Sequence, residues 1–197
     1  MLCVWLILLN FVQKYSFMHY LDKFKYCPAC GSAHFNENDF KSKRCADCGF
    51  TYYFNSAAAT VAIIENERGE FLVCRRACEP AKGTLDLVGG FTDPGETSEQ
   101  AIAREILEET GMDIHALDLA PENRLTYLFS KPNTYMYSGL LVHTTDAFFH
   151  IRIPSTTRVE AHDDVAALTW LPRQDIRLDQ FGLDSVREGF RQWLIDN

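Results

Sequence analysis

Residues 90–112 read GFTDPGETSEQAIAREILEETGM. Thr97, with Gln100 three positions on, has the form of a capping box, and Gly111 stands where a helix ends, so the spacing predicts a helix over 98–110. Ile102 and Ile106, four apart, make an apolar stripe that can anchor this helix on a sheet. Glu105, Glu108 and Glu109 fall at i, i+3 and i+4, which puts three carboxylates on one face within about a turn of each other. The acidity is concentrated here. Between Gly90 and Asp113 seven acids (Asp93, Glu96, Glu99, Glu105, Glu108, Glu109 and Asp113) face only Arg104, so a short stretch carries most of the chain's net charge of -8. Crowded carboxylates repel one another unless water or a cation offsets the charge. Oxygen ligands on a rigid helix beside the Gly89-Gly90 turn suit Mg²⁺ or Mn²⁺ rather than zinc. Mg²⁺ takes its remaining ligands from water and substrate phosphates, so phosphoryl or pyrophosphate chemistry is the natural partner. A solvated acidic helix face is the competing reading of the same residues.

Outward from this stretch, strands and turns alternate. Ala57–Glu65 is an apolar, β-leaning run that ends in Asn66-Glu67-Arg68-Gly69, and Glu70–Arg76 returns as its hairpin partner. Pro80–Thr84 reads as a loop and Leu85–Val88 as a short strand. Leu125–Phe129 and Tyr135–His143 suggest a second hairpin turning at Lys131-Pro132-Asn133. Ala166–Leu171 reads as a late strand stopped by Pro172, and Asp184–Ile195 as an amphipathic helix. There is no internal repeat and no low-complexity segment. Mixed strands with few helices indicate α+β or a three-layer α/β/α sandwich.

The quoted stretch resembles the Nudix box: Gly90, Glu96, Arg104, Glu105, Ile106, Glu108, Glu109, Gly111 and Met112 occupy its defined positions. The flanks 57–64, 71–76 and 164–172 are similar to the same superfamily, so the resemblance covers about residues 56–197. It implies an α/β/α sandwich in which Glu105, Glu108, Glu109 and the Gly89 carbonyl bind Mg²⁺ or Mn²⁺. It also implies that Arg104 orients the glutamates by ion pairing, that Glu96 braces the loop or lies in an outer metal position, and that Glu105 is a general-base candidate. The implied reaction is water attack on phosphorus in a nucleoside diphosphate linked to another moiety, giving a nucleoside monophosphate and the phosphorylated remainder. In some branches the base lies in a late loop instead, where Glu160, Asp163 and Asp164 are candidates here.

Substrate is less legible. The NADH pyrophosphatases of the zinc-ribbon branch carry a Ser-Gln-Pro-Trp-Pro-Phe-Pro-type array after the box, whereas Ala120–Ser138 reads APENRLTYLFSKPNTYMYS. This weighs against NADH as the preferred substrate, with NADH or NAD-capped RNA as the runner-up. Val88 stands where many members place a proline. Tyr127, Phe129, Tyr135, Tyr137, Phe148 and Phe149 could stack a base, although strand alternation favours core or homodimer packing for most of them. Arg75 and Arg76 could meet phosphate or simply face solvent. A ligand-sensing or nucleic-acid-binding module is the alternative of another class.

Four of the seven cysteines form Cys27-Pro-Ala-Cys30 and Cys45-Ala-Asp-Cys48, each pair followed by a glycine. Two close thiolate pairs on glycine-assisted turns can complete a tetrahedral, structural Cys₄ zinc site, a zinc ribbon over 20–55. The alternative, two disulfides in an exported protein, fits poorly with i, i+3 pairs and an odd total. Unpaired thiols point to a reducing compartment, hence the cytoplasm. The ribbon holds Lys23, Lys25, Lys41, Lys43 and Arg44 against Asp22, Glu37, Asp39 and Asp47, which is too near neutral for an electrostatic DNA clamp, so no DNA partner is expected. The chain is 47% hydrophobic, enough for a packed core, and its acidity argues against binding to anionic membranes. Residues 1–19 form an apolar extension expected to lie outside the fold. Its run MLCVWLILLNFV is too short to span a bilayer and lacks a basic leader. The expectation is that the natural chain starts at Met18, with a membrane anchor as the alternative.

Overall fold

The computed structural model describes residues 19–197, so the expectations for the apolar N-terminal run and the Met18 start lie outside the described residues. The described chain falls into two compact units, one ending at Asn55 and the other running Ser56–Asn197.

The first unit is a three-stranded antiparallel sheet, β1 (Phe35–Asp39), β2 (Ser42–Cys45) and β3 (Thr51–Tyr53), in that order. Among its described residues the buried apolar cluster is Cys27, Phe35 and Cys45, with Leu21 buried as well. A core this small does not hold a fold together without a staple such as a metal.

The second unit contains β4 (Ala57–Asn66), β5 (Glu70–Arg76), β6 (Leu85–Asp86), the helix α1 (Ser98–Thr110), β7 (Thr126–Tyr137), β8 (Leu140–Ile153), β9 (Val165–Pro172) and the helix α2 (Asp184–Asp196). The sheet order is β6-β5-β4-β8-β7, with β9 also paired to β5. β4 and β8 run parallel along their whole shared length, and the other pairs are antiparallel. Strand alternation sends successive residues to opposite faces. Ala62, Ile64, Leu72 and Phe149 therefore meet Ile102 and Ile106 of α1 on one face, while Val61, Ile63, Phe71 and Phe148 meet Val186 and Phe190 of α2 on the other. The result is the three-layer α/β/α sandwich.

α1 forms as its sequence dictates. Gln100 N–H donates to the Thr97 hydroxyl, Thr97 N–H donates to the Gln100 side chain, and Gly111 caps the other end at φ 70°. The second hairpin is a correction. β7 runs unbroken through Lys131-Pro132-Asn133, and the chain turns at Ser138-Gly139 instead, where both residues have positive φ. Two adjacent left-handed residues match the twist of a tight hairpin. Pro132, paired with Thr145, is tolerated because β7 is the sheet's edge strand. The short strand also ends earlier than expected: β6 stops at Asp86, and Val88 makes only an isolated bridge to Ala62.

Candidate active site

Arg104 organises the exposed side of the box. Its Nε and Nη2 donate to the two carboxylate oxygens of Glu96 (2.8 and 3.0 Å), its Nη1 to Glu105 and Glu108 (2.8 Å each), and its Nη2 also to the Phe91 carbonyl (3.0 Å). A planar guanidinium fork can hold a carboxylate bidentately in this way, whereas an ammonium cannot. The Arg104 hydrogen bond, assisted by the Asp93 N–H, keeps Glu96 below the usual carboxylate range. Glu105 moves the other way: burial raises its carboxyl, and Arg104 only partly opposes this. The Glu105 carboxylate lies so close to Gly90 that a Cβ there would meet it at 2.7 Å.

Glu109 faces a different environment. It is 8% exposed and accepts the Gly89 N–H at 3.1 Å. Burial pushes its carboxyl up to about 8, against the Gly89 hydrogen bond, and the Glu105 and Asp86 carboxylates add to the rise. Gly89 is required there for steric reasons, because a Cβ would run into the Thr60 carbonyl.

Gly89, Gly90 and Glu109 line a cavity of about 310 Å³, which opens where β4 and β5 diverge beyond their Glu65–Phe71 pairing. Arg76, half-buried, pairs with the buried Asp86 at 2.5 Å in its wall, and the Arg76 Nε donates to the Pro80 carbonyl. Arg76 is thus committed to protein partners, and Arg75 donates to the Gly83 carbonyl from an exposed position. Of the six aromatics, Tyr135 and Tyr137 line the cavity. Phe148 and Phe149 are buried, with Phe129 and Tyr127 packed against them.

The late loop comes to the end of α1. Glu160 N–H donates to the Thr110 carbonyl and His162 N–H to the Glu109 carbonyl, satisfying helix-end acceptors. The Glu160 carboxylate is taken by Arg158, Asp164 lines the cavity and accepts the Cys78 thiol at 3.3 Å, and the charge of Asp163 is felt at Glu105. Asp86 and Asp146, two further buried acids of the cavity, are invisible to the box pattern. The one available signal was a charge inside an apolar run, Leu85-Asp86-Leu87-Val88 and Asp146-Ala147-Phe148-Phe149.

In the first unit Cys27, Cys30, Cys45 and Cys48 bring their sulfurs within 4.8 Å of one another, the one such metal-competent group among the described residues. Gly31 N–H bonds to the Cys27 carbonyl and Gly49 N–H to the Cys45 carbonyl, two equivalent turns that aim the thiols at a common point. The Cys27–Cys48 and Cys30–Cys45 sulfurs are 3.7 Å apart. A tetrahedron with Zn–S of about 2.3 Å has an edge of about 3.8 Å, so the set fits zinc.

Residues 55–194 match the NUDIX domain family. Among curated proteins, the chain is 34% identical over 131 residues to an NAD-capped RNA hydrolase NudC of Haemophilus influenzae, covering 65% of this chain and 46% of that protein. It is 29% identical over 139 residues to the NAD-capped RNA hydrolase NudC of Deinococcus radiodurans, covering 69% and 46% respectively. The chain therefore spans less than half the length of these relatives. Among solved structures, a NUDIX hydrolase from Nitrosomonas europaea superposes with a TM-score of 0.62 at 20% identity, over 88% of this chain and 92% of that one. The E. coli dihydroneopterin triphosphate pyrophosphohydrolase superposes at 0.59 and 18% identity, over 73% and 100%. With the box helix, the sandwich and the family match over most of its length in agreement, the chain belongs to the NUDIX domain family.

Proposed function

We propose that this chain is a divalent-metal-dependent pyrophosphohydrolase acting on a nucleoside diphosphate linked to a second moiety. The observation that carries the reading is the arrangement around Arg104. One guanidinium fixes Glu96, Glu105 and Glu108 while Glu109 is held at the cavity by Gly89. Mg²⁺ or Mn²⁺ fits this oxygen-only donor set, and the crowding of a desolvated Glu109 beside Glu105 is what a cation relieves. Glu105, Glu108, Glu109 and the Gly89 carbonyl would hold it. When bound, the cation neutralises diphosphate oxygens and acidifies a water.

The protein's own part is positioning and proton transfer. Arg104 orients Glu105 and Glu108. Glu105 takes the proton of the attacking water, with Asp163 or Asp164 of the late loop as the alternative base; Glu160, engaged by Arg158, is the weakest of the three late acids. The new bond forms between water oxygen and phosphorus, the bridging P–O bond breaks, and a nucleoside monophosphate and the phosphorylated remainder leave. The module over 20–55 binds Zn²⁺ structurally through its four cysteines, leaving the chemistry to the domain over 56–197. The six unbridged cysteines among the described residues suit a reducing compartment such as the cytoplasm.

A second reading, NADH or NAD-capped RNA as the preferred substrate, is favoured by the names of the similar curated proteins. Against it stands the missing proline–aromatic array in 120–138. The test is a screen of nucleotide sugars, ADP-ribose, dinucleoside polyphosphates, NADH, FAD and nucleoside triphosphates with Mg²⁺ and with Mn²⁺. Cleavage of at least one diphosphate linkage supports the proposal. A clear kcat/KM preference for NADH over ADP-ribose and nucleotide sugars selects the second reading, and no cleavage of any member rejects both.

A further inference from the structure

The end of the cavity away from the box carries an unusual pair. The β7–β8 ladder sets Asn133 opposite Thr144, and the β4–β8 ladder sets Ala59 opposite Asp146, so these residues and Tyr135 share one face of the sheet and all line the cavity. Asp146 is 4% exposed. Its two oxygens accept the hydroxyls of Thr144 and Ser185, each at 2.5 Å. Ser185 lies in the first turn of α2, whose positive end favours a nearby anion. Lys131, directly across the ladder from Asp146, sends its ammonium over the Phe129 ring instead, 5.4 Å from the centroid.

A carboxylate can accept about four hydrogen bonds, so Asp146 retains acceptor capacity toward the cavity. Asn133, also buried, uses its side-chain oxygen to accept the Thr134 N–H at 3.0 Å, and its amide donors have no partner among the described residues. A carboxylate acceptor and a neutral amide donor, diagonal neighbours across the β7–β8 ladder, therefore line one cavity together with Tyr135 and Tyr137. Buried polar groups of this kind discriminate strongly, because a ligand that leaves them unpaired forfeits their hydration without replacement.

We propose that Asn133 and Asp146 read an amide-type edge on the substrate's heterocycle, an N–H donor next to a carbonyl or ring-nitrogen acceptor. This rests on the reading above for what enters the cavity. Two parts of a dinucleotide present such an edge: the amino and N1 positions of adenine, and the carboxamide of nicotinamide.

The test is equilibrium binding by calorimetry to the full chain without added metal, so that turnover plays no part. The probes are NAD, ADP-ribose, the 1,N6-ethenoadenine analogue of NAD (adenine edge closed) and the 3-acetylpyridine analogue (carboxamide N–H removed). One analogue should bind wild type at least about tenfold more weakly than NAD, the span expected for losing a hydrogen bond to a charged group. That gap should shrink to about twofold or less in Asp146→Asn, whereas a purely steric gap would persist. If the etheno analogue is the weak one, the edge is adenine; if the acetylpyridine analogue is, it is the carboxamide. Asn133→Asp, which turns the donor into an acceptor and leaves Asp146 untouched, should close the same gap and covers an Asp146 variant that fails to fold. Equal binding of all probes, a gap unchanged in both variants, or no binding of NAD and ADP-ribose would overturn the proposal. A failed substrate screen with the gap intact would reject the reaction but not the readout.

Discussion

The two candidate metal centres are built on opposite plans. In the ribbon the four sulfurs already lie within 4.8 Å of one another, closed around a point by backbone turns. In the box the carboxylates are divided between two partners: Glu105 and Glu108 share the Arg104 Nη1, and Glu109 accepts the Gly89 N–H. The first plan leaves no coordination position free and suits a structural ion. The second leaves carboxylate oxygens uncommitted and suits a cation shared with substrate. Preassembly marks the site that holds the fold, and its absence marks the site proposed to do chemistry.

Substitution in the box should have the largest effect on turnover. Glu109→Gln should lower kcat by about 10²–10³-fold, the span seen when one group stabilising a transition state is lost. It should remain folded. Because the Glu109 carboxyl is raised to about 8 from 4.5, its ionisation opposes folding: in metal-free protein its contribution is intact below pH 4.5 and is lost as pH rises to about 8. Thermal unfolding of metal-free wild type should show that decline and Glu109→Gln should flatten it; identical profiles would show that Glu109 is ionised at no cost.

Arg104→Lys keeps the charge but loses the fork. A drop of about tenfold to a hundredfold in kcat is expected from misplaced carboxylates. Wild-type turnover in this variant would mean that the five hydrogen bonds of Arg104 brace the loop and nothing more.

The ribbon should respond in the converse way. Cys45→Ser should abolish stoichiometric zinc and lower stability by several kcal/mol at most, since metal binding there is folding free energy. Soluble protein should keep its Mg²⁺-dependent turnover. Zinc content that stays stoichiometric would show that the cluster is not the site.

The smallest effect is expected at Glu99, in the first turn of α1, where its charge lies at the positive end of the helix dipole. Glu99→Gln should cost a few tenths of a kcal/mol and leave kcat near wild type. A large loss of kcat would extend the chemistry a turn beyond the Arg104 cluster.

What the sequence discloses and what it hides follow the range of the interactions. α1 is legible residue by residue because its caps and its apolar stripe are local. The cysteine cluster is legible because two turns of identical spacing encode it. The turn after β7 is misplaced because Lys131-Pro132-Asn133 carries a strong local turn signal that edge-strand pairing overrides, while Ser138-Gly139 supplies the backbone geometry. The Arg76–Asp86 pair and the Asp146–Ser185 bond lie hidden because they join residues that only the folded sheet brings together. The late-loop acids can be suspected from sequence, yet only the fold separates them: Arg158 engages Glu160, Asp164 lines the cavity, and the charge of Asp163 acts on Glu105.

The most direct test of the account is Glu108→Gln, followed by turnover across a Mg²⁺ titration with the best diphosphate from the screen. Glu108 is nearly half exposed and tied to Arg104, so glutamine preserves the shape and removes only the charge. The account predicts a folded protein, as stable as wild type or slightly more so, with turnover nearly abolished at ordinary Mg²⁺. Full activity of Glu108→Gln at ordinary Mg²⁺ would contradict it and return the box helix to a solvated acidic face.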